Sequence, residues 1–394
     1  MTQQVVVVGG GYAGVLAANR LTRRRDVEVT LVNPRPWFVE RIRLHQLAAG
    51  THEALVAHRD VLAPSVRVRV GSATRIDAGA RRVLLADGTT LGYDHLVLAA
   101  GSVSGVPAVP GGAEHARPLG NLEQARRLRA ALDATPPAAP VTVVGAGPSG
   151  IETAAELAEQ GRRVRLVCGD VLGPYLHPAN RHEVARRLER LGVVVLAGAG
   201  TTAAAVGPDR VELDDGRTLP SAVTVWTAGF AVPDLARRSG LSTDPVGRLL
   251  TDETLTSVDD DRIVAAGDSA APSGRAFRMS CQAAGQLGLH AAGTVLQRLA
   301  GEEPAPVRVG FVGQCLSLGR HDGFVQLAGR DDEARRAHLG GRAGARVKEL
   351  VCRGTVAQLR FEARHPGAYA SPRWVADPGR PAAVEAARSG TLVR

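Results

Sequence analysis

Two glycine triplets share the spacing G-x-G-x-x-G: Gly9, Gly11 and Gly14 near the start, then Gly145, Gly147 and Gly150. A short β-branched apolar run precedes each one, "VVVV" at 5–8 and "VTVV" at 141–144. A stretch of helical periodicity follows each, "YAGVLAANRL" and "IETAAELAEQG", and then a second strand-like run, "VEVTLVN" and "RVRLV". In that setting the first glycine permits a tight turn and the second lets the backbone approach a pyrophosphate at a helix N-terminus. The third lets the helix lie close on its strand. Two complete units imply two dinucleotides, one held permanently and one exchanging.

The rest of the chain must position these two turns. At 394 residues it has room for two or three domains with cores of their own. Its apolar share of 44% and charged share of 22% are those of a globular protein. No apolar run approaches the ~20 residues that span a bilayer. The N-terminus enters a strand directly, so no cleaved leader is expected. Net charge is +9, yet Lys348 is the only lysine, and the arginine-rich basicity reads as compositional. With 3% aromatic residues there are few rings for bases to stack on, and no nucleic-acid partner is expected. Cys168, Cys281, Cys315 and Cys352 are scattered without a C-x-x-C pair, which argues against a zinc or iron–sulfur site and for a reduced, cytoplasmic protein. His45, His52 and His58 lie close together but no pair has the i,i+4 spacing of a helical zinc site, so no metal is expected. His45 stays in view as a proton donor.

Further landmarks come in order: "YDHLVLAAGS" at 93–102, "AVTVWTAGF" at 222–230 and "DRIVAAGDSA" at 261–270. With them the chain resembles the two-dinucleotide-domain flavoproteins of the pyridine nucleotide–disulfide oxidoreductase superfamily over roughly residues 3–330. The resemblance implies FAD at the first glycine unit and NADH or NADPH at the second. It implies that Gly101 closes the returning strand of the FAD domain, and that Gly267 and Asp268 meet the flavin's ribityl chain. The redox C-x-x-x-x-C pair of the disulfide reductases is missing from "NPRPWFVERIRLHQLAAG", and the stretch resembles type II NADH:quinone oxidoreductases and their apoptosis-inducing-factor-like relatives instead. In "RMSCQAAGQLGLHAAGTVL", Gln282 and Gln286 share a helix face. They resemble the A-Q-x-x-x-Q motif that lines the quinone pocket of that branch, with Cys281 in place of its alanine. Glu152 stands where the family places a glutamate near the nicotinamide and flavin.

Two positions depart from the family. Asn33 ends the first ribose-binding strand in place of Glu or Asp, and is expected to bond a ribose hydroxyl through one oxygen. Cys168 ends the second strand where NAD-specific members carry an acid, which leaves the choice between NADH and NADPH open. The expected fold class is α/β: two Rossmann-like domains, for FAD and NAD(P), plus a small α+β C-terminal portion. The expected boundaries are 1–110 with 235–300 for FAD, 120–232 for NAD(P)H, 305–370 for the C-terminal portion and 371–394 for a mobile tail.

Within the C-terminal portion, "VRVGFVGQCLSLGR" and "GFVQLAG" read as a strand pair. "GARVKELVCRGTVAQLRF" reads as a helix with Val347, Leu350 and Val351 on one side. Contact of 345–364 with an anionic membrane surface is one reading of that basic helix, which would place the protein peripherally on the inner face of the cell membrane. Packing on the FAD domain or a homodimer partner is the other. The implied activity is hydride transfer from NAD(P)H to flavin and on to a quinone or quinone-like acceptor, with Glu152, Gln282 and Gln286 at the reacting centre. The alternatives are a soluble flavoenzyme of a small aromatic metabolite and an NADH-sensing interaction protein.

Overall fold

The computed structural model describes residues 2–105, 107–370 and 373–389. Strand β1 (Gln3–Val8) carries the first valine run and is buried from Val5 to Val8. Helix α1 (Tyr12–Leu21) crosses from it to β2 (Val27–Asn33), which pairs with β1 in parallel, Val5 opposite Val29. A short helix α2 (Leu44–Ala49) precedes β3 (Arg67–Val70) and β4 (His95–Leu98). The chain then builds a second unit from β5 (Ala116–Pro118), α3 (Leu122–Asp133), β6 (Pro140–Val144), α4 (Pro148–Glu159), β7 (Arg163–Val167), β8 (Val194–Leu196) and β9 (Val223–Trp226). Strand β10 (Ile263–Ala265) returns to the first sheet beside β4.

Both sheets are parallel and five-stranded, in the orders β10–β4–β1–β2–β3 and β5–β9–β6–β7–β8. In each, the strand bearing the glycine turn lies at the centre, where the strand order reverses. Ligands of open α/β sheets bind at that position. The continuous valine runs suit it, because central parallel strands are covered by helices on both faces.

The long helix α5 (Cys281–Leu299) packs on α1 through small residues. A Cβ on Gly288 would lie 2.3 Å from the carbonyl oxygen of Ala13, so the two helices approach at a point where no side chain fits. Three antiparallel strands come next, β11 (Gly313–Ser317), β12 (Gly323–Ala328) and β13 (Ala334–Gly340), and then α6 (Gly341–Arg364). The sequence suggests only the first two strands. The third, "ARRAHLG", is mostly exposed and has no apolar alternation, and its strand form comes from pairing along the edge of β12.

The face on which α6 packs also differs from the expected one. Lys348, Cys352, Val356, Leu359 and Glu362 are buried, whereas Leu350 is 69% exposed. The docking partner sets this choice: Asn19 of α1 donates to the Leu359 carbonyl at 3.2 Å, and Arg20 pairs with Glu362. Of the stretch read as a mobile tail, 371–372 and 390–394 lie outside the described residues. Residues 380–388 form α7 (Arg380–Arg388), where Arg380 pairs with Glu253 at 2.8 Å and lies 4.0 Å over the Phe277 ring.

The α1–α5 contact yields a paired test on one helix. Gly288→Ala should destabilise the fold by about 1–3 kcal/mol through overpacking. Gly293→Ala, whose Cβ meets nothing within 4 Å, should stabilise it by about 0.5–1 kcal/mol. Denaturant unfolding of the two variants beside the wild type measures both.

Candidate functional site

The two glycine turns are built alike. Gly9 has φ +112° and Gly145 +114°. A Cβ on Gly14 would lie 1.8 Å from the Gly9 carbonyl oxygen, and one on Gly150 would lie 1.8 Å from that of Gly145. The outer glycines are thus required by the chain's own backbone. The middle ones are not: a Cβ on Gly11 or Gly147 meets nothing within 4 Å. Each middle glycine leaves open space over a helix N-terminus, where unpaired N–H groups and the helix dipole favour a phosphate.

A cavity of about 1780 Å³ opens between these elements. That exceeds the ~300–1,000 Å³ of a site for one small ligand. Gly9, Gly11, Asn33, Gly101, Gly267 and Asp268 line it from the first sheet. Glu152, with Pro148 and Ser149, lines it from the N-terminus of α4, and Gln282 and Gln286 line it from α5. The remaining expected residues, Gly14, Gly145, Gly147 and Gly150, shape the turns without lining the cavity.

On the first-sheet side, Asn33 Oδ1 accepts from the Gly10 N–H at 3.0 Å and Nδ2 donates to the Arg35 carbonyl at 2.7 Å. The amide that replaces the family's acid therefore braces the glycine turn, and its oxygen has the capacity to accept one further bond. Asp268 accepts from Ser102 Oγ at 2.6 Å, and the Gly101 N–H donates to Ser269 Oγ at 2.8 Å. Arg41 donates to the Ser102 carbonyl at 2.8 Å and brings a cation to the same wall. Sequence reasoning did not single out Arg41 or Ser102.

The charged centre of the cavity is a buried ion pair. Glu152, near the start of α4, meets Lys348 of α6, with Lys348 Nζ 2.8 Å from Oε1. The same oxygen accepts from the Ser317 N–H at 2.9 Å, and His45 Nδ1 of α2 lies 3.7 Å from Oε2. Burial alone would neutralise both partners. The pairing prevails: it holds the Glu152 carboxyl below the usual range and the Lys348 ammonium above it. Burial depresses His45 to about 4, with Glu152 pulling the other way, so the imidazole is neutral at pH 7. Its Nε2 is buried without a protein partner among the described residues.

The sequence does carry one trace of this pair. Of 48 basic residues only Lys348 is a lysine, and it occupies a buried position opposite a carboxylate. There a compact ammonium on a flexible stem fits where a planar guanidinium needs more room. The contact itself joins residues in different units, and no local spacing reveals it.

On α5, Ser280 caps the helix by accepting from the Ala283 N–H at 3.2 Å. Gln286 donates to the Gly310 carbonyl at 3.0 Å and accepts from its N–H at 3.3 Å, so its amide fixes the 310 segment against the cavity. Gln282 keeps its side-chain amide without a protein partner among the described residues and faces the cavity. All four cysteines are free thiols, and burial raises each above its ordinary value, Cys168 to about 12 and Cys352 to about 11. They are neutral, and Cys168 places no charge at the end of β7.

Because Lys348 is the only lysine, amine labelling reports on the ion pair directly. Under native conditions an amine-reactive reagent should label the N-terminus alone, and a second label should appear on denaturation. Glu152→Gln should speed native labelling of Lys348 by more than about tenfold, a shift of ~1.4 kcal/mol or more in the protection. Intact-mass and peptide analysis read both.

Comparison with known proteins agrees with this architecture. The family model described as pyridine nucleotide-disulphide oxidoreductase matches residues 3–288. An NADH dehydrogenase-like protein of Mycobacterium tuberculosis is 33% identical over 346 residues, covering 80% of this chain and 86% of its own length. A type II NADH:quinone oxidoreductase of Staphylococcus epidermidis is 28% identical over 391 residues, covering 89% and 94%. The solved sulfide:quinone oxidoreductase of Aquifex aeolicus shares the fold with a TM-score of 0.77 at 20% identity, covering 93% of each chain. The chain belongs to the pyridine nucleotide-disulphide oxidoreductase family, as an NAD(P)H-dependent flavoprotein oxidoreductase.

Proposed function

We propose that the chain is an FAD-dependent NAD(P)H dehydrogenase whose electron acceptor is a quinone with an apolar tail. One observation carries this reading: a single cavity is lined by the first glycine turn, by the N-terminus of α4 with Glu152, and by Gln282 at the start of α5. Two dinucleotides bound at the two turns would therefore bring their reactive ends to one chamber.

The residues present fit FAD at the first turn. Gly11 leaves room for the pyrophosphate, Asn33 keeps a lone pair for a ribose hydroxyl, and Asp268 with Ser102 offers polar partners to the ribityl chain. At the second turn Gly147 leaves the same room for the pyrophosphate of NADH or NADPH. The neutral Cys168 thiol presents no charge to repel a 2′-phosphate. When bound, the flavin supplies the two-electron chemistry between reduced nicotinamide and acceptor.

The protein's own groups bind, orient and move protons. Glu152 orients the nicotinamide carboxamide, and Lys348 keeps that carboxylate ionised inside a low-dielectric chamber. The Lys348 ammonium, which Glu152 makes a weaker acid, donates an N–H to the acceptor oxygen and yields its proton only as that oxygen gains negative charge and becomes the stronger base. Gln282 offers an N–H to the same acceptor, while Gln286 holds the wall behind it through Gly310.

The nature of the acceptor is supported at the mouth of the cavity. Val312, Leu327, Val351 and Phe361 line it and are each more than a third exposed. An apolar rim on a polar chamber suits an amphiphile whose head enters and whose tail stays outside. Leu350 and Trp374 add exposed apolar surface, and Arg346, Arg353 and Arg360 stand exposed on α6. That composition supports contact of 345–364 with an anionic lipid surface. No described helix is long and apolar enough to cross a membrane.

Anaerobic absorbance titration of the FAD-loaded protein with NADH and with NADPH, followed by a menaquinone analogue, tests the proposal. The expected result is bleaching of the flavin band by one nucleotide and its immediate return on adding quinone. Glu152→Gln should slow turnover by at least about tenfold, the loss typical of a general acid–base or orienting group. A flavin that bleaches but stays reduced with quinone present would contradict the acceptor assignment.

A further inference from the structure

Three carboxylates stand on one stripe of α4, at Glu152, Glu156 and Glu159. The spacings i, i+4 and i+7 place them on one face, over a rise of about 10 Å. Glu152 faces the cavity. Glu159 lies at the partly exposed end, where its carboxylate accepts from the Arg320 N–H at 2.6 Å. Glu152 accepts from the Ser317 N–H, so the inner and outer carboxylates hold the two ends of one turn, 317–320.

Glu156 lies between them and is 1% exposed. One carboxyl oxygen accepts from Thr51 Oγ1, just beyond α2, and the other is buried with no partner among the described residues. Among the described residues no cationic group is in hydrogen-bonding contact with it. A fully buried carboxyl with one free oxygen is expensive in a structural role, and α4 needs no acid there for helix formation. The groups acting on it are Glu152 and Glu159 on its own helix, Arg320 from the β11–β12 turn and the Thr51 hydroxyl. Burial dominates among these influences and raises its proton affinity above that of an ordinary glutamate.

The proposed reaction needs such a group. A reduced nicotinamide gives up a hydride, which is two electrons and one proton. A quinone becomes a hydroquinone by taking two electrons and two protons. One proton per turnover must therefore come from water, and a quinone whose tail filled the apolar mouth would block solvent from that side. We propose that Glu156 relays that proton from the solvent end of α4 at Glu159 to the Glu152–Lys348 pair. The pair gives a proton to the acceptor oxygen; an O–H bond forms there as an N–H bond of the Lys348 ammonium breaks. Glu156 then refills the pair and is itself reprotonated from water. Each hop covers about one helical turn, ~5–6 Å, which one bridging water spans. This inference rests on the quinone reading above.

The test uses the FAD-loaded enzyme and Glu156→Gln, which keeps the acceptor for Thr51. Stopped-flow reoxidation of the NADH-reduced enzyme is followed across pH with a soluble menaquinone analogue and with ferricyanide, which takes electrons without protons. The expected result is at least tenfold slower reoxidation by quinone, a larger solvent isotope effect and unchanged reoxidation by ferricyanide. Thr51→Val, which removes a bond favouring the ionised carboxylate, should move the pH profile of the quinone step to higher pH. Independently of turnover, the infrared spectrum of the protein should hold a protonated-carboxyl band that titrates above the glutamate range and is lost in Glu156→Gln.

Equal slowing with both acceptors would mark Glu156 as structural and overturn the relay. So would unchanged quinone kinetics in Glu156→Gln, or a missing infrared band. If the wild type itself is not reoxidised by quinone, the acceptor reading falls and the relay falls with it. That outcome is distinct from a quinone-active wild type with a quinone-active variant.

Discussion

The arrangement depends on one buried electrostatic contact, that of Glu152 with Lys348. Taking either charge out of water alone would cost several kcal/mol, and such a group would lose or gain a proton instead. Together, with the Ser317 N–H on the carboxylate and the Cys315 carbonyl 3.3 Å from the ammonium, they remain ionised inside the protein. The contact joins the N-terminus of α4, beside the second glycine turn, to α6, which itself lies on α1 beside the first. The charge pair adds a directional contact between units that also meet through apolar packing, with Leu44, Leu47 and Ala48 of α2 sharing a buried cluster with Ile151, Ala154 and Ala155 of α4. It also leaves a strong local field at the place where a hydride donor and its acceptor would meet.

The rest of the site is arranged around that field. The two Rossmann-like units contribute nearly identical turns, and they differ in the side chains behind each turn. Behind the first turn the chain supplies Asn33, Ser102, Asp268 and the Arg41 cation, which would suit a cofactor held in place. Near the second turn it places the buried Glu152 carboxylate. Among the described residues the four thiols are unpaired and neutral, Cys352 buried and the others partly so. The cavity is bordered by the exposed apolar side chains of Val312, Leu327, Val351 and Phe361, which would suit the apolar tail of the proposed acceptor.

The legible parts of the fold are those written in local sequence. Glycine spacing, the preceding valine runs and the periodicity of the adjoining helices report short-range geometry, and both turns can be located from them. Lys348 is conspicuous only as the one lysine in an arginine-rich chain, because its partner lies in another unit. The same limit applies to α6. Its apolar side is readable as Val347, Leu350 and Val351, but the face that docks holds Lys348, Cys352, Val356 and Leu359, chosen by the surface of α1 and the small sheet. Asn33 is readable as a substitute for an acid, and its bond to the Gly10 N–H is not, since that bond depends on how the turn folds back. The β13 edge strand leaves no trace in its own residues.

A double-mutant cycle on the ion pair tests the central claim most directly, using denaturant unfolding of Glu152→Gln, Lys348→Met and the double variant. Each single change should cost about 3–5 kcal/mol by stranding a buried charge, and the double variant should be markedly more stable than the sum of the two costs implies. Additive effects, each within about 0.5 kcal/mol of a surface substitution, would contradict the account. They would mean that the two groups are solvated separately and that the site is organised by something else.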